Sequence, residues 1–480
     1  MTAGEQFVVI GGGFAGLSAA TALAEAGARV LVLEARPTLG GRATAFVDPV
    51  TGERVDNGQH VLFGCYHETF RFLRRIGTSA EVELQPSLAI DVIDENRRAT
   101  RMSCPRLPAP FHLLVGILRW RALSIADRIA VLRMRRPLRE VAYPAAGLKT
   151  RPTYEKEQYV GRAFRPGVTQ VPKTRPTYEE ETVRQWLERH GQTPRLITLL
   201  WEPLAVAALN ESIDVAAARP FAQVLAALFG SDAQGASLGL PRTPLDELYA
   251  LPAQRYIESH AGSVRCGAKA RVIVGDGPIP ALAVSVAGET IAAAGVVVAT
   301  PWHALDDAFE TPPIALRGTL DRAAAVKASS IVTVNLWLDH ALPTGPFVGL
   351  PGRTFQWMFD KRALLGAGSS HLSMVASGAD SIVGKSNDEI AALAWAELVS
   401  ALPALRSVVP RRSVVVRERR ATFSVAPDSP KRPSVYTGVP GLFLAGDWIE
   451  TALPATIEGA VVSGHLAATA LLERIAQSPS

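Results

Sequence analysis

The feature that most constrains this chain is the stretch 7–42, which reads without a gap as strand, glycine turn, helix, strand and acidic residue. Residues 7–10 are the short continuous apolar run that a buried parallel strand requires. Three glycines follow at the G-x-G-x-x-G spacing: Gly11, Gly13 and Gly16. Such glycines allow a sharp turn, a close approach of the backbone to a pyrophosphate and tight packing of the next helix. The pattern predicts a dinucleotide site in which Phe14 and Ala15 open the helix that faces the phosphates.

A second apolar strand, 28–33, ends at Glu34. The separation of Glu34 from Gly16 along the chain is close to the roughly 20 residues that place an acid on the ribose hydroxyls of a dinucleotide. We therefore predict that Glu34 accepts hydrogen bonds from the ribose and that Ala35 lies beside it. The alternative is a purely structural glycine turn, which would not require strand, helix and acid to be in register.

The next segment indicates which dinucleotide is bound. Gly40, Gly41 and Arg42 supply two flexible backbone positions and a guanidinium suited to a diphosphate, which nicotinamide enzymes do not need. Because a flavin nucleotide is long, a segment distant in the sequence should meet its far end. The C-terminal stretch 441–447 offers such a segment, since it again reads as buried strand, glycine and acid.

Gly446 and Asp447 close that stretch, and Asp447 is predicted to accept the ribityl hydroxyls of a flavin. The alternative for this pair is an ordinary turn between strand and loop. A helix that opens within 454–460 would direct its positive end at the flavin pyrimidine edge, where negative charge gathers on reduction. Its first residues complete the predicted cofactor site: Ala455, Thr456 and Ile457.

Together, the two ends of the chain resemble the FAD-dependent amine oxidase and phytoene desaturase superfamily. The resemblance implies that the Gly-Gly-Arg and Gly-Asp motifs both contact FAD. It also implies that a backbone group of Val272 contacts the adenine. The fold expected from it is α/β with an α+β second domain, in which a Rossmann-like FAD-binding domain is interleaved with a substrate domain of mixed sheet and helices.

Polar side chains cluster in 55–63, the return strand of a predicted hairpin whose first strand is 43–47. Burying so many polar groups without partners would be costly, so this stretch is predicted to line a site. The alternative is a polar hairpin edge. The residues predicted to face the cofactor are Asn57, Gly58, Gln59 and His60. Of these, Gln59 and His60 are also candidate catalytic residues.

An apolar run at 196–210 contains one carboxylate, Glu202. A buried carboxylate has a raised pKa, which suits a general acid near neutral pH. Glu202 is therefore the third candidate catalytic residue. The alternative is that Glu202, next to Pro203, bonds free backbone N–H groups at a break in a helix.

Residues 55–61 and 201–204, with Asn210, resemble the bacterial hydroxysqualene dehydroxylases of hopanoid synthesis, and carotenoid desaturases differ at 55–61. This resemblance implies that hydroxysqualene is reduced to squalene, because hydride from N5 of the reduced flavin reaches an allylic carbon as the hydroxyl leaves as water. The electron donor that reduces the flavin is not identified by the sequence. Aromatic side chains could stabilise the allylic cation as it forms. The candidates for this role are Trp201, Trp357 and Phe359.

Two rival functions stay open at this stage. A carotenoid desaturase or an amine oxidase would run the flavin in the opposite direction and remove hydride from its substrate. A prenyl-lipid escort protein would bind an apolar isoprenoid and use no flavin. The late pair Gly446 and Asp447 argues against the escort protein, because a protein without flavin has no use for it.

Length and composition exclude other classes of protein. A chain of 480 residues is too long for a single core, and 48% hydrophobic with 20% charged residues excludes a mostly disordered protein. No apolar run reaches the roughly 18 residues of a membrane span. The three cysteines Cys65, Cys104 and Cys266 are scattered, which favours a reducing, cytoplasmic compartment and a flavin without covalent attachment. The first strand begins too close to the N-terminus to leave room for a signal peptide, and we predict neither a metal site nor a nucleic-acid partner.

The region 111–139 has apolar residues at helical intervals and is strongly basic. Seven arginines stand against Asp127 alone between 119 and 139. A basic amphipathic helix pair predicts a peripheral contact with an anionic membrane surface, with Trp120 suited to the headgroup zone. The alternative is the solvated face of an ordinary helical domain.

The predicted domain division is interleaved. The FAD-binding domain comprises 1–80, 211–300 and 421–480, and the substrate domain comprises 81–210 and 301–420. A heptapeptide repeated at 149–155 and 173–179 marks a surface insertion near 140–180, to which we assign no catalytic role. The substrate should lie between the domains, where the flavin ring is reached.

Overall fold

The computed structural model describes most of the chain, and the described ranges are 6–134, 137–138, 180–229, 233–277, 280–339, 341–342, 344–366 and 370–477. The predicted insertion near 140–180 lies outside them except for its last residue. Arg135, Arg136 and Arg139 of the basic region also lie outside them.

The described strands belong to five sheets. They are β1 (Gln6–Ile10), β2 (Arg29–Leu33), β3 (Ala45–Val47), β4 (Arg54–Asp56), β5 (Leu62–Phe63), β6 (Val82–Leu84), β7 (Ala89–Ile93), β8 (Ala99–Ser103), β9 (Leu238–Pro241), β10 (Ser263–Arg265), β11 (Ala270–Val274), β12 (Leu282–Val286), β13 (Glu289–Ala293), β14 (Gly295–Val298), β15 (Ala328–Leu338), β16 (Phe347–Gly349), β17 (Trp357–Asp360), β18 (Ser370–Ser377), β19 (Arg412–Phe423) and β20 (Leu442–Leu444).

The helices pack on both large sheets and between them. They are α1 (Phe14–Glu25), α2 (His67–Arg75), α3 (Phe111–Arg119), α4 (Ile125–Arg133), α5 (Val183–Arg189), α6 (Pro194–Leu196), α7 (Glu202–Leu209), α8 (Ala218–Leu228), α9 (Leu251–Ser259), α10 (Arg317–Ala325), α11 (Lys361–Leu365), α12 (Asn387–Ala401) and α13 (Ile457–Gln477).

The first large sheet is parallel, in the order β10-β2-β1-β14-β20. Its central strands are continuous apolar runs because both faces of the sheet are covered, one by α1 and α13 and the other by the three-stranded sheet β11-β12-β13. Strand β1 pairs with β2 on one side and with β14 on the other. Ligands of open parallel sheets bind at the carboxyl end of such a strand, where the strand order reverses. The predicted α/β class is confirmed, and the glycine turn after β1 lies at this position.

The second large sheet is mainly antiparallel, in the order β19-β15-β18-β17-β16-β7-β8. It is built from two distant parts of the chain, because all the strands from β9 to β14 lie between β8 and the next strand of this sheet, β15. One face packs on α12 through Ile390, Ala394 and Leu398, which share a core with Val332 and Val334 of β15. Ile331 of β15 and Val375 of β18 line the same space as the turn after β1, so the sheet supplies one wall of that space.

The predicted hairpin after the Gly-Gly-Arg motif forms only in part. Strands β3 and β4 pair, with Ala45 opposite Asp56. The return strand then ends, and residues 57–61 are irregular. Leu62 and its neighbour form β5, which pairs with β9 instead of continuing the hairpin. Among the polar side chains of 57–61, Gln59 accepts a hydrogen bond from Lys361, whereas Asn57 bonds the backbone of Arg42 and Thr44.

Candidate active site

A cavity of about 640 Å³ lies between the glycine turn after β1 and the ends of β15 and β18. Most of the residues predicted to bind the cofactor line this cavity. They are Gly11, Gly13, Phe14, Ala15, Glu34, Ala35, Gly41, Arg42, Asn57, Gly58, Gln59, His60, Gly446, Asp447, Ala455, Thr456 and Ile457. Segments from the two ends of the chain therefore converge on one space, which has the extent that a long dinucleotide requires.

The backbone at Gly13 leaves room that a ligand can use. Gly13 has an ordinary extended conformation, with φ of −91° and ψ of −173°, so the backbone itself does not demand glycine. A Cβ added there would meet only the Cα of Gly41, at 3.9 Å. The helix α1 begins at the next residue without a side-chain cap and without an acid in its first turn, so its free N–H groups point at that space. The site therefore fits a pyrophosphate.

Two of the predicted cofactor residues do not line the cavity, Gly16 and Val272. A Cβ at Gly16 would lie 1.9 Å from the carbonyl oxygen of Gly11, so this glycine serves the packing of α1 on β1. Val272 is fully buried in β11, and its carbonyl accepts a hydrogen bond from Glu310 N at 3.1 Å. Residues 268–270, just before it, line the cavity in its place.

Glu34 lines the cavity and also fixes the glycine turn. Its Oε2 accepts a hydrogen bond from Gly12 N at 2.6 Å, and its Oε1 accepts one from Arg36 N at 2.8 Å. A carboxylate has further lone pairs, so these bonds leave acceptor capacity for ribose hydroxyls. The carboxylate therefore orients the turn and stays suited to the predicted role.

Arg42 and Asp447 pair with each other, which the sequence did not predict. The guanidinium donates to Asp447 Oδ1 at 2.5 Å and to the carbonyl of Ala421 at 2.7 Å. Burial opposes the charge of Arg42, but the Asp447 carboxylate beside it raises the pKa of the guanidinium. The pair joins the early and late cofactor motifs, so each group reaches the cavity as one half of an ion pair.

The helix α13 opens at the cavity as predicted. Thr456 Oγ1 accepts a hydrogen bond from Gly459 N at 3.0 Å and so caps the helix. The acid in its first turn, Glu458, is turned away from the cavity and accepts hydrogen bonds from Thr69 N at 2.8 Å and from Thr69 Oγ1 at 2.7 Å. The helix therefore presents its positive end to the cavity with no carboxylate beside it.

A buried ion pair supports the polar stretch behind the cavity. Lys361 Nζ lies 2.6 Å from Asp56 Oδ2 and donates to Gln59 Oε1, also at 2.6 Å. Lys361 and Asp56 are almost fully buried. Asn57 is also engaged, because its Nδ2 donates to the carbonyl of Arg42 at 2.5 Å. These bonds fix the backbone of 57–60 along the cavity wall. They also give the buried polar groups the hydrogen-bond partners that such groups need.

His60 is held as a neutral imidazole at the cavity. Its Nδ1 lies 3.0 Å from the carbonyl oxygen of Gly58, which can only accept, so Nδ1 carries the proton. Burial lowers the pKa of His60, and the charge of Lys361 lowers it further, while Asp56 opposes the shift. The unprotonated Nε2 is therefore a hydrogen-bond acceptor at neutral pH, which suits a positioning group better than a proton donor.

Glu202 does not line the cavity. It is the first residue of α7, after a wider π-helical turn at Ile197–Trp201 that precedes Pro203. Burial raises the pKa of Glu202, as expected, and the nearby Arg184 opposes that shift. The predicted aromatic walls Trp201, Trp357 and Phe359 also lie outside the cavity lining. The sequence could not indicate this placement, because an apolar run does not show which side of a helix or strand faces a cavity.

Sequence reasoning missed several residues that line the cavity. Four of the apolar ones lie on α7, β15 and β18, namely Ala207, Ala208, Ile331 and Val375. Tyr66 also lines it. Burial raises the pKa of the Tyr66 phenol, so it stays protonated and can donate. No local pattern distinguishes these residues, because small apolar residues on strands and helices are typical of any core.

The fold and the cavity define a dinucleotide-dependent oxidoreductase, and the comparisons with known proteins agree. Residues 14–472 match the model of the family described as flavin containing amine oxidoreductase, and the chain belongs to that family. The chain is 28% identical over 472 residues to a hydroxysqualene dehydroxylase of Rhodopseudomonas palustris, covering 97% of both chains.

Two more similarities mark the breadth of the family. A chloroplastic/chromoplastic 15-cis-phytoene desaturase of an Oncidium hybrid is 24% identical, over 98% of this chain and 78% of its own length. A crystal structure of an oxidoreductase from Methanosarcina mazei superposes with a TM-score of 0.70 at 16% identity, covering 98% of this chain and 100% of that one. The protein is therefore an FAD-dependent oxidoreductase, and FAD is its cofactor.

We predict that the FAD is bound without covalent attachment. None of the three cysteines lines the cavity, although Cys65 precedes Tyr66, which does. Denaturation of the purified protein should release the yellow chromophore into a small-molecule filtrate, while the polypeptide fraction stays colourless. Colour that stays on the polypeptide, and survives Cys65→Ser, would show that another residue carries a covalent bond.

Proposed function

We propose that this protein reduces hydroxysqualene to squalene, with hydride from reduced FAD and loss of the hydroxyl as water. The observation that carries the proposal is the match to hydroxysqualene dehydroxylases over nearly the full length of both chains, at 28% and 26% identity. The desaturases match at 23% to 24% and extend beyond this chain. The direct test is the direction of electron flow between the flavin and hydroxysqualene.

The charges of the cavity favour an uncharged substrate over an amine. Four acids line the cavity, and each already faces a cation or backbone donors. Asp307 pairs with Lys269 at 3.5 Å, Asp447 pairs with Arg42, and Glu418 lies in the field of the same arginine. The fourth acid, Glu34, accepts from backbone N–H groups. A buried ammonium needs a carboxylate of its own, so an amine substrate fits this cavity poorly.

The apolar lining suits an isoprenoid. Ala207 and Ala208 come from α7, and Ile331 and Val375 come from neighbouring strands of the second large sheet. Their small aliphatic side chains leave space for a hydrocarbon chain and offer it no polar partner. Each CH₂ removed from water there contributes about 0.8 kcal/mol to binding, so a long isoprenoid can be held by burial alone.

In the proposed reaction, bound FAD in its reduced form supplies a hydride from N5 to the allylic carbon. The C–O bond breaks with its electron pair, and the leaving oxygen takes up a proton that comes from solvent. Tyr66 can donate a hydrogen bond to that oxygen, because burial keeps its phenol protonated. His60 Nε2 can accept one from the substrate hydroxyl and so orient it. The aliphatic wall excludes water from the carbon that receives the hydride.

A membrane contact is part of this proposal, because the substrate is insoluble in water. Three apolar residues of α4 are exposed, Ile125 at 74%, Ile129 at 52% and Leu132 at 49%. Their i, i+4, i+7 spacing places them on one face of the helix, while Ala130 and Val131 face the core. We propose that this apolar face of α4 lies in an anionic bilayer surface.

Neighbouring residues support the same contact. Phe111, at the start of α3, is 58% exposed, and Arg119 and Arg121 are exposed between the two helices. Arginines beside an apolar face attract anionic headgroups and place the helix at the interface. No helix among the described residues has both the length and the apolar character needed to cross a bilayer. The contact proposed is therefore peripheral.

Replacing Ile125 and Ile129 together by serine should reduce binding to phosphatidylglycerol vesicles by more than tenfold. Each isoleucine buried in the interface contributes on the order of 1.5–3 kcal/mol, and tenfold corresponds to about 1.4 kcal/mol. Vesicle flotation measures the binding, and Ile314→Ser is the matched control because Ile314 is 90% exposed outside this region. Equal loss in both variants, or no loss in either, would remove the proposed role of α4.

A further inference from the structure

A second cavity, of about 470 Å³, lies on the other side of the wall that bounds the flavin cavity. Three chain segments line both spaces with neighbouring residues. Thr422 lines the flavin cavity and Phe423 the second cavity, and the same holds for Asp447 and Trp448. The third pair is Ala455 and Pro454. The wall between the two cavities is therefore a single layer of chain.

Aromatic side chains fill this wall. Phe423, which lines the second cavity, meets Trp302 edge-on with ring centroids 6.3 Å apart. The guanidinium of Arg42, which lines the flavin cavity, lies 5.5 Å above the Trp302 ring. Trp448 donates from Nε1 to the carbonyl of Thr300 at 3.0 Å. The side chains thus form a continuous packed path from one cavity to the other.

The second cavity is basic, and we refer to it as the basic groove. The positively charged residues that line it are Arg219, Arg322, Lys431 and Arg432. Among its described lining residues, Glu450 is the only acid, and it pairs with Arg432 at 3.0 Å. Arg432 also donates to the carbonyl of Leu453 at 2.7 Å and lies 5.3 Å above the Phe423 ring, so it is fixed. Arg322 and Lys431 are exposed at the rim.

The proposed reaction consumes two electrons in each turnover, and the sequence contains one G-x-G-x-x-G motif, which the flavin uses. The reducing equivalents must therefore come from another molecule. We infer that the basic groove is the docking site of an acidic one-electron carrier protein, which reduces the flavin through the wall of Phe423, Trp302 and Trp448. Two encounters deliver two electrons, the carrier is oxidised, and solvent supplies the two protons that the reduced flavin takes up.

The wall selects this kind of donor. A hydride donor such as a nicotinamide must touch the flavin ring, and the wall separates the groove from the cavity that would hold the flavin. An electron can pass through a packed layer of side chains without such contact. The rim cations attract a negatively charged protein and raise its association rate, and this effect decreases as salt screens the charges. The inference rests on the proposed function, because only a reductive reaction needs electrons to enter.

The probe for the experiment is a plant-type [2Fe–2S] ferredoxin, which is an acidic one-electron carrier. Binding of the oxidised ferredoxin to the flavin-free protein is measured first, so the readout does not depend on activity. Bleaching of the flavin by dithionite-reduced ferredoxin, freed of dithionite, is then followed by stopped flow. The test variant is Arg322→Glu with Lys431→Glu. The control is Lys385→Glu with Arg406→Glu, two exposed cations elsewhere with the same change in charge.

The groove variant should bind ferredoxin at least tenfold more weakly at low salt and lose most of the salt dependence of the bleaching rate. The control variant should stay within twofold of the unmodified protein. Three results would each overturn the inference. The two variants could have equal effects, or the unmodified protein could fail to bind ferredoxin. The third is that NADH bleaches the flavin directly, at a rate that the groove variant does not change. Light reduction bypasses the groove. If hydroxysqualene fails to reoxidise light-reduced flavin, the proposed function is therefore refuted. Ferredoxin binding to the groove is measured independently of that result.

Discussion

Hydroxysqualene is expected to restore the oxidised flavin spectrum when it is added to protein that has been reduced by light and kept free of oxygen, and the product is expected to be squalene. The expectation follows from the proposed direction, in which electrons leave the flavin as water leaves the substrate. The effect is large, because one equivalent of hydroxysqualene should reoxidise all the flavin in a single turnover. The visible absorbance of oxidised flavin follows the reaction, and gas chromatography identifies the lipid.

A desaturase would behave in the opposite way. Its oxidised flavin would bleach when given phytoene or squalene, and hydroxysqualene would leave the reduced flavin unchanged. That pair of results would refute the proposed substrate while leaving the FAD fold intact. The same apparatus distinguishes an amine oxidase, whose oxidised flavin would bleach with putrescine. Protein reduced by light and given plain squalene is the control for slow leakage of oxygen.

Two variants locate the chemistry in this experiment. Tyr66→Phe should slow reoxidation by about 10²-fold, the lower end of what one hydrogen-bond donor to a developing negative charge contributes, because the leaving oxygen loses its hydrogen bond. Glu202→Gln should leave the rate unchanged, because Glu202 does not line the cavity. The reverse result would identify Glu202 as the acid and require α7 to move. Flavin content is measured in both variants, so loss of cofactor is not mistaken for loss of chemistry.

The sequence predicts many of the residues that line the cavity, because local chain geometry determines where they lie. The turn after β1 needs glycines at fixed offsets, and an acid must follow β2, so the motif and its contacts lie within one short stretch of the chain. The polar stretch before Val61 could also be assigned to a site, because burying it without partners is costly. Lys361, its main partner, could not be found, since it is far from Asp56 along the chain and only the fold brings the two together.

The substrate side of the cavity is less accessible to sequence reasoning. Ala207, Ile331 and Val375 belong to ordinary apolar periodicities, and only the three-dimensional arrangement shows that they face the ligand. Trp201 was expected at the substrate because an aromatic ring can stabilise the allylic cation. It is instead 1% exposed in the core and donates from Nε1 to Gln192 Oε1 at 2.9 Å. Residue type indicates burial in these cases, whereas the side of the element that faces the substrate depends on packing between distant segments.

Gly13→Val should abolish FAD binding while leaving the flavin-free protein as stable as the unmodified flavin-free protein. The reason is the geometry at this position, where φ is −91° and the only atom within 4 Å of an added Cβ is the Cα of Gly41. A Cβ therefore fits the folded chain, and the methyl groups of valine should occupy the space of the pyrophosphate. Flavin occupancy after purification should fall below a tenth of the normal value. The ratio of flavin absorbance to protein absorbance measures it.

Gly16→Ala is compared with this variant, because it should lower the stability of the fold itself. Its Cβ would lie 1.9 Å from the carbonyl oxygen of Gly11, so α1 must move away from β1 to make room. Such overpacking costs about 1–3 kcal/mol, and the flavin-free protein should unfold at a lower temperature. The comparison must use flavin-free samples, because bound cofactor stabilises by mass action and would hide the difference.

If Gly13→Val also destabilises the flavin-free protein, Gly13 serves the fold as Gly16 does. If instead Gly13→Val retains its flavin, the pyrophosphate lies elsewhere and the turn after β1 has lost its assigned role.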